Sequence, residues 1–250
     1  MRFELLGPLR AFGDGGAEVS LGPPKQRALL AVLLLQEGRS LSYDGVVDAV
    51  WGDEPPAQVR NLVQKYVSGL RRAGIDVTWT GSGYRLDGAE IDDLRERRAL
   101  LRQAVTARDG GDLRRAAELA RQGEAMWRGE FAEGLAGPYL AAERRRFAEK
   151  RLMVLEARLE LDIELERYHE CVHELVRQVA GHPLRERLVW LLMLALYRSG
   201  RPTDALVVYE EARTRIADQL GADPGPALRA LHERVLRQDP ALLARPVQAA

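Results

Sequence analysis

The side chains Arg60, Asn61, Gln64, Lys65, Ser68, Arg71 and Arg72 share one stretch, Val59 to Arg72, whose apolar residues recur at helical spacing. Val59, Leu62 or Val63, Tyr66, Val67 and Leu70 make a buried stripe, which leaves the polar residues outward. Amide side chains can bond adenine through two contacts, and arginine or lysine can bond guanine or phosphate, so this face carries groove-reading chemistry. A strand-turn-strand follows from Val77 to Leu86. Thr80, Ser82 and Arg85 can reach phosphates or the minor groove from it, while Trp79 and Tyr84 are expected to pack inward and Gly81 and Gly83 to serve the turn. Lys25 and Arg27 lie in the first turn of an earlier helix, where the helix dipole disfavours cations; a phosphate contact would account for them. The bland alternative is an ordinary solvated face. The order helix, helix, polar helix, hairpin favours a recognition helix and a wing, and only Asp76 and the flanking Glu54 oppose the cationic side chains in the window.

A second constellation competes. His169-Glu170-Cys171-Val172-His173 is a literal H-E-x-x-H, which on a helix puts two imidazoles one turn apart with Glu170 as a general base for zinc-dependent peptide hydrolysis. That chemistry needs a third ligand, and the following residues, Glu174 to Val179, supply neither glycine nor histidine at metzincin spacing. A surface histidine pair is the better reading, with no metal site, no cofactor and no enzyme expected. Cys171, the one cysteine of the chain, has no partner to resolve an oxidised sulfur and is expected to be a packing residue.

Lys+Arg and Asp+Glu are both 37 in 250 residues, so any attraction to a polyanion must be local. Arginine supplies nearly all the positive charge, and its abundance is given no functional weight. The apolar run Ala28 to Leu35 falls well short of the ~20 residues of a membrane span, and no secretory core follows Met1. A cytoplasmic, nucleoid-associated protein with no membrane partner is expected.

The elements that must position these residues are legible in outline. Phe3, Leu5 and Leu9, the glycine turn at Gly13 to Gly16, and Glu18 to Leu21 predict an N-terminal β-hairpin or meander. Pro23-Pro24 starts a helix, Ser42 caps a second that ends at Gly52, and a third follows Pro55-Pro56. From Asp92 to Gln238 the pattern is helical, broken near Gly110, Gly129 to Pro138, Gly181 to Pro183, Gly200 to Pro202 and Gly221 to Pro226. Cys171 and Ala205 stand 34 residues apart, the period of tetratricopeptide repeats. Leu155, Leu159 and Leu175 fall on Val189, Met193 and Tyr209 under that shift, whereas Asp162 falls on Leu196. The expected fold is mainly α: a winged helix-turn-helix (α+β) over residues 1–90, an all-α tetratricopeptide-like domain over 91–238, and a flexible tail over 239–250.

The segments Leu21-Gly22-Pro23-Pro24-Lys25-Gln26-Arg27, Ala49-Val50-Trp51-Gly52-Asp53-Glu54-Pro55-Pro56, Tyr66-Val67-Ser68 and Gly83-Tyr84-Arg85-Leu86 resemble the DNA-binding half of Streptomyces antibiotic regulatory proteins. His182-Pro183-Leu184-Arg185-Glu186-Arg187-Leu188, Ala195 to Arg201 and Leu228 to Leu236 are similar to their bacterial transcriptional activation domain. The resemblance implies an activator of a secondary-metabolite cluster that binds tandem direct repeats in double-stranded DNA as a head-to-tail homodimer and touches RNA polymerase and its sigma factor. A scaffold with a degenerate winged helix is the alternative. Gly69 departs from the long polar residue common in related winged helices, so Gly69→Arg is expected to tighten DNA binding.

Overall fold

The computed structural model of the chain describes residues 1–243. Its elements run β1 (Arg2–Glu4), β2 (Arg10–Phe12), α1 (Pro24–Leu34), β3 (Leu41–Ser42), α2 (Tyr43–Trp51), α3 (Val59–Arg72), β4 (Val77–Trp79), β5 (Gly83–Leu86), α4 (Asp92–Asp109), α5 (Leu113–Ala125), α6 (Pro138–Glu164), α7 (Tyr168–Gly181), α8 (Glu186–Arg198), α9 (Pro202–Leu220) and α10 (Pro226–Leu236). They form two compact units, one of residues 1–102 with 121–152, the other of 103–120 with the residues from 153 onward.

The first unit is built around α1. Pro24 opens the helix with its φ already set for it, and every residue from Ala28 to Leu34 is buried, as a helix apolar on all sides must be. Helices α2 and α3 pack on it, and a three-stranded antiparallel sheet in the order β3-β5-β4 closes the side. The N-terminal hairpin pairs Phe3 with Ala11. Its second strand is Arg10–Phe12; the expected strand at Glu18 reduces to a single bridge to Phe12, because the turn closed by Gly13 N on Ala17 O leaves little chain to pair.

Residues beyond 120 complete this core. Phe131, Leu135, Leu140 and Phe147 join the same buried cluster as Phe3, Leu5, Leu29 and Val46. The segment after α5 runs along the chain that connects β1 to β2: Arg128 N donates to Leu6 O (2.8 Å), Ala132 N to Leu5 O (3.0 Å) and Glu133 N to Gly7 O (3.1 Å). From α4, the buried Asp93 carboxylate accepts from Leu5 N (2.9 Å), Leu6 N (2.8 Å) and Arg128 Nη2 (3.1 Å). Three donors on one carboxylate satisfy a charge that would otherwise be costly to bury.

In the second unit α8 packs against both α7 and α9, and α10 covers α8 and α9. Cys171 and Ala205 are both buried, and so are the pairs Leu155 and Val189, Leu159 and Met193, Leu175 and Tyr209, which follow the 34-residue period. Asp162, the misfit, is buried too. Arg158 Nη1 and Arg167 Nη1 each bond it at 2.9 Å, so an ion cluster fills the place that Leu196 fills one repeat later. After α10, Pro240–Leu242 form a 3-10 turn with Leu242 buried and its carbonyl bonded by Arg198 Nε (2.8 Å). That short stretch, read from sequence as flexible, has a hydrophobic anchor; residues 244–250 lie outside the described residues.

Candidate nucleic-acid interface

Helices α2 and α3 are placed by their ends. Ser42 Oγ accepts from Gly45 N at 3.0 Å, the N-cap expected of it. Gly52 ends α2 with φ of 68°, a conformation other residues adopt with strain. Val63, Val67 and Leu70 bury one side of α3, and Tyr66 stacks on Trp51 with ring centroids 6.3 Å apart. Two stripes remain outward. Arg60, Gln64, Ser68 and Arg71 face the hairpin; Asn61, Lys65 and Arg72 lie beside them, all exposed.

The hairpin β4–β5 is the wing. Thr80 N donates to Gly83 O (2.9 Å), and Gly81, with φ of 89°, sits in the tip. Gly83 is required for another reason: a Cβ there would stand 2.0 Å from Leu41 O, so only glycine lets β3 pair with β5. Tyr43 N donates to Ser82 O (3.0 Å), and Ser40 and Thr80 share a hydroxyl hydrogen bond of 2.8 Å. These bonds tie the wing tip to the start of α2. Between α3 and the wing lies a cleft of about 670 Å³, lined by Tyr43, Asp44, Arg60, Gln64, Val67, Ser68, Arg71, Trp79, Gly81, Ser82 and Tyr84.

The cationic residues divide by what they already hold. Arg71 donates through Nε (2.8 Å) and Nη2 (2.5 Å) to Val77 O, which clamps the last turn of α3 to β4. Lys25 donates to Val50 O (2.7 Å) near the end of α2 and lies 5.6 Å from the Trp51 ring centre; burial pushes its pKa down. That bond removes the dipole conflict seen in the sequence, because the ammonium serves the C-terminus of α2. Arg85 pairs with Asp87 at 2.7 Å, and Arg27 is half-buried on α1. Arg60 lies over the Tyr43 ring, 6.0 Å from its centre, on the cleft wall. No carboxylate pairs any of the four α3 cations among the described residues, but Arg71 is committed to β4, which leaves Arg60, Lys65 and Arg72 as those not hydrogen-bonded to another element, Arg72 Nε reaching only Ser68 O of its own helix.

Two expectations are overturned. Gly69 faces α1 rather than the groove: a Cβ there would stand 2.2 Å from Gln26 Oε1. A side chain at position 69 would start toward α1 and the Gln26 amide, not toward the groove. Trp79, expected inside, is 48% exposed. Tyr84 is buried as expected, with burial raising its pKa and the cations of Arg71 and Arg60 acting in the opposite direction. Tyr43 and Asp44 line the cleft without having been read as site residues; the sequence shows Asp44 only as an acid in the first turn of α2, and only the fold brings that turn beside the wing tip.

The H-E-x-x-H segment lies on α7, with His169 and His173 both exposed. Cys171 between them points into the core, and burial pushes its thiol up to about 12. A thiol so held is a poor nucleophile at neutral pH. Among the described residues no group of three His, Cys, Asp or Glu is arranged to hold a metal ion, and no helix is long and apolar enough to cross a membrane.

Residues 16–86 match the family "Transcriptional regulatory protein, C terminal", and residues 92–236 match "Bacterial transcriptional activator domain". The chain is 46% identical to the regulatory protein AfsR of Streptomyces coelicolor over 97% of its own length, which is 25% of AfsR. It is 33% identical to the regulatory protein DnrI of Streptomyces peucetius over 97% of this chain and 94% of DnrI. The solved structure of Mycobacterium tuberculosis EmbR in complex with a low affinity phosphopeptide superposes with a TM-score of 0.85 at 35% identity, covering 96% of this chain and 65% of that one. The chain thus spans a quarter of AfsR and about two thirds of EmbR. The helix-and-wing cleft, the helical repeats and these likenesses agree: the chain belongs to the transcriptional regulators of the Streptomyces antibiotic regulatory protein type, which join an OmpR-type winged helix to a bacterial transcriptional activator domain.

Proposed function

We propose that this DNA-binding regulator activates transcription of a secondary-metabolite cluster by binding tandem direct repeats beside a promoter and engaging RNA polymerase through its helical half. The observation that carries the DNA reading is the exposed polar face of α3, with Arg60, Asn61, Gln64, Lys65, Ser68 and Arg72 clear of the core and the wing fixed beside it. Asn61 and Gln64 supply base-edge chemistry, while Arg60, Lys65 and Arg72 supply phosphate or guanine contacts. Residues 1–90 carry recognition and 91–238 carry activation on this reading, a division of labour distinct from the division into compact units. The protein acts in the cytoplasm, on the nucleoid.

Direct repeats place two protomers head to tail, about 10 to 10.5 bp apart. The test is an anisotropy titration against the promoter regions adjoining its own gene, followed by in vitro transcription with RNA polymerase. Saturable, salt-sensitive binding that Arg60→Ala and Lys65→Ala weaken, lost when half a helical turn is inserted between repeats, supports the proposal. Binding indifferent to those substitutions would overturn the assignment of α3, and transcription unchanged by bound protein would overturn activation.

A further inference from the structure

Trp79 stands apart from the other large exposed apolar side chains of the described residues as the one aromatic ring among them. It ends β4, one of the two edge strands of the β3-β5-β4 sheet, and lines the cleft opposite Arg60, Gln64 and Ser68. An indole left in water on a protein surface forfeits a large share of the apolar burial it could make, and such rings concentrate where a partner covers them. Its position is also fixed. Tyr84 holds the ring edge-to-face, with centroids 5.0 Å apart and planes at 65°. The Arg71 bonds to Val77 O hold β4 at a set distance from α3, and the Tyr43 bond to Ser82 O holds the wing tip. The cleft is thus a slot braced at both ends, one wall cationic and polar, the other aromatic.

We propose that Trp79 is a DNA contact: a strand of the duplex seats its sugar–phosphate backbone in this slot, with the indole face against a deoxyribose and Arg60 and Ser82 on the flanking phosphates. This rests on the DNA-binding reading above and adds an aromatic contact to the polar ones expected of the wing at Thr80, Ser82 and Arg85. The choice of DNA over a peptide follows from the opposite wall, where Arg60, Gln64 and Ser68 offer mainly hydrogen-bond donors, and Asp44 is the single carboxylate in the lining. A backbone contact of this kind adds affinity and fixes register without reading sequence. It also involves no cation at position 79, so it contributes nothing to counterion release.

The test is tryptophan fluorescence of the full chain titrated with a duplex that the wild-type protein has itself selected from a random-sequence library. The chain has four tryptophans, and the other three, Trp51, Trp127 and Trp190, are partly buried. The expected result is a change in emission on DNA binding that Trp79→Phe removes, with affinity lowered about fivefold to twentyfold on selected and unrelated duplexes alike and an unchanged slope of log affinity against log salt. Acrylamide quenching of the wild type supplies a second measurement free of any substitution: the accessible tryptophan emission should fall when DNA is added. Trp79→Phe that binds as tightly as wild type with the same emission change would overturn the contact while leaving the DNA reading intact. Wild-type protein that binds no duplex would overturn both.

Discussion

The carboxamide of Gln26 occupies the space that a side chain at position 69 would need. Gln26 is buried on α1, its Nε2 donates to Leu21 O at 3.0 Å, and a Cβ at Gly69 would fall 2.2 Å from its Oε1. A Cβ at Gly22 would meet the same amide, 2.8 Å from Nε2, and Gly22 also has φ of 74°. Two glycines therefore flank one buried amide, and the missing side chain at residue 69 leaves that amide its room between α3 and α1.

Gly69→Ala should therefore destabilise the protein by about 1–3 kcal/mol through overpacking, against the roughly 0.5–1 kcal/mol that alanine would gain in an open helix interior. Gly69→Arg should cost more and should not improve DNA affinity. Gln26→Ala makes room but leaves Leu21 O without its donor, costing about 1–3 kcal/mol. The double variant Gln26→Ala with Gly69→Ala should be more stable than the sum of the singles predicts. Urea unfolding of the four proteins measures this coupling; strict additivity would show that the two residues do not meet.

Arg71 and the exposed cations of α3 should separate by assay. Arg71→Ala removes both bonds to Val77 O and should lower stability by about 1.5–3 kcal/mol, the range for bonds from a charged donor. Arg60→Ala and Lys65→Ala should leave the unfolding midpoint within error and reduce the salt slope of DNA binding by about 0.9 for each phosphate no longer neutralised. Thermal unfolding paired with salt-dependent titration reads both, and a stable Arg71→Ala protein with a lowered slope would return Arg71 to the DNA face.

Asp93→Ala should be among the most damaging single changes in the first unit. It removes an acceptor shared by Leu5 N, Leu6 N and Arg128, and a broken buried ion pair costs about 3–5 kcal/mol. Asp93→Asn keeps one oxygen acceptor and should fall between wild type and alanine. Guanidinium unfolding followed by tryptophan emission gives the order.

Cys171 should resist alkylation in the native state up to about pH 9 and react once urea unfolds the chain. Its thiol pKa is raised by burial from 9.0 to about 12, so the neutral form is favoured in the folded protein. A raised folded value gives a stabilising contribution fully present below the unfolded value near 9, lost as pH rises through the folded value near 12. Iodoacetamide labelling followed by mass spectrometry decides it, and native labelling at about pH 8.5, near the ordinary thiol value, as fast as in urea would contradict the burial.

The sequence announced most of the scaffold because its cues were local. Ser42, Gly52 and Pro24 act on their own helix ends, and the glycine and proline breaks after residue 92 fall between observed helices. Long-range geometry was hidden. Nothing near Gly69 says that Gln26 lies above it, and the apolar character of Trp79, which suggested packing inward, does not show that the last residue of β4 stands out in solvent. Lys25 and Arg71 looked like phosphate ligands because their carbonyl partners, Val50 and Val77, come close only after α2 and β4 are packed.

The cover that residues 128–133 lay along Leu5 to Gly7, with Phe131 and Phe147 sealed into the N-terminal core, bears on how the chain is made. During translation Phe3, Leu5 and Leu6 leave the ribosome well before the residues that cover them, which are synthesised more than a hundred positions later. Until then Leu5 and Leu6 lack that cover, and contacts so distant in sequence are the kind that form slowly and leave apolar surface exposed meanwhile. A graft of that half onto another regulator would have to carry residues to about 152 to keep the seal.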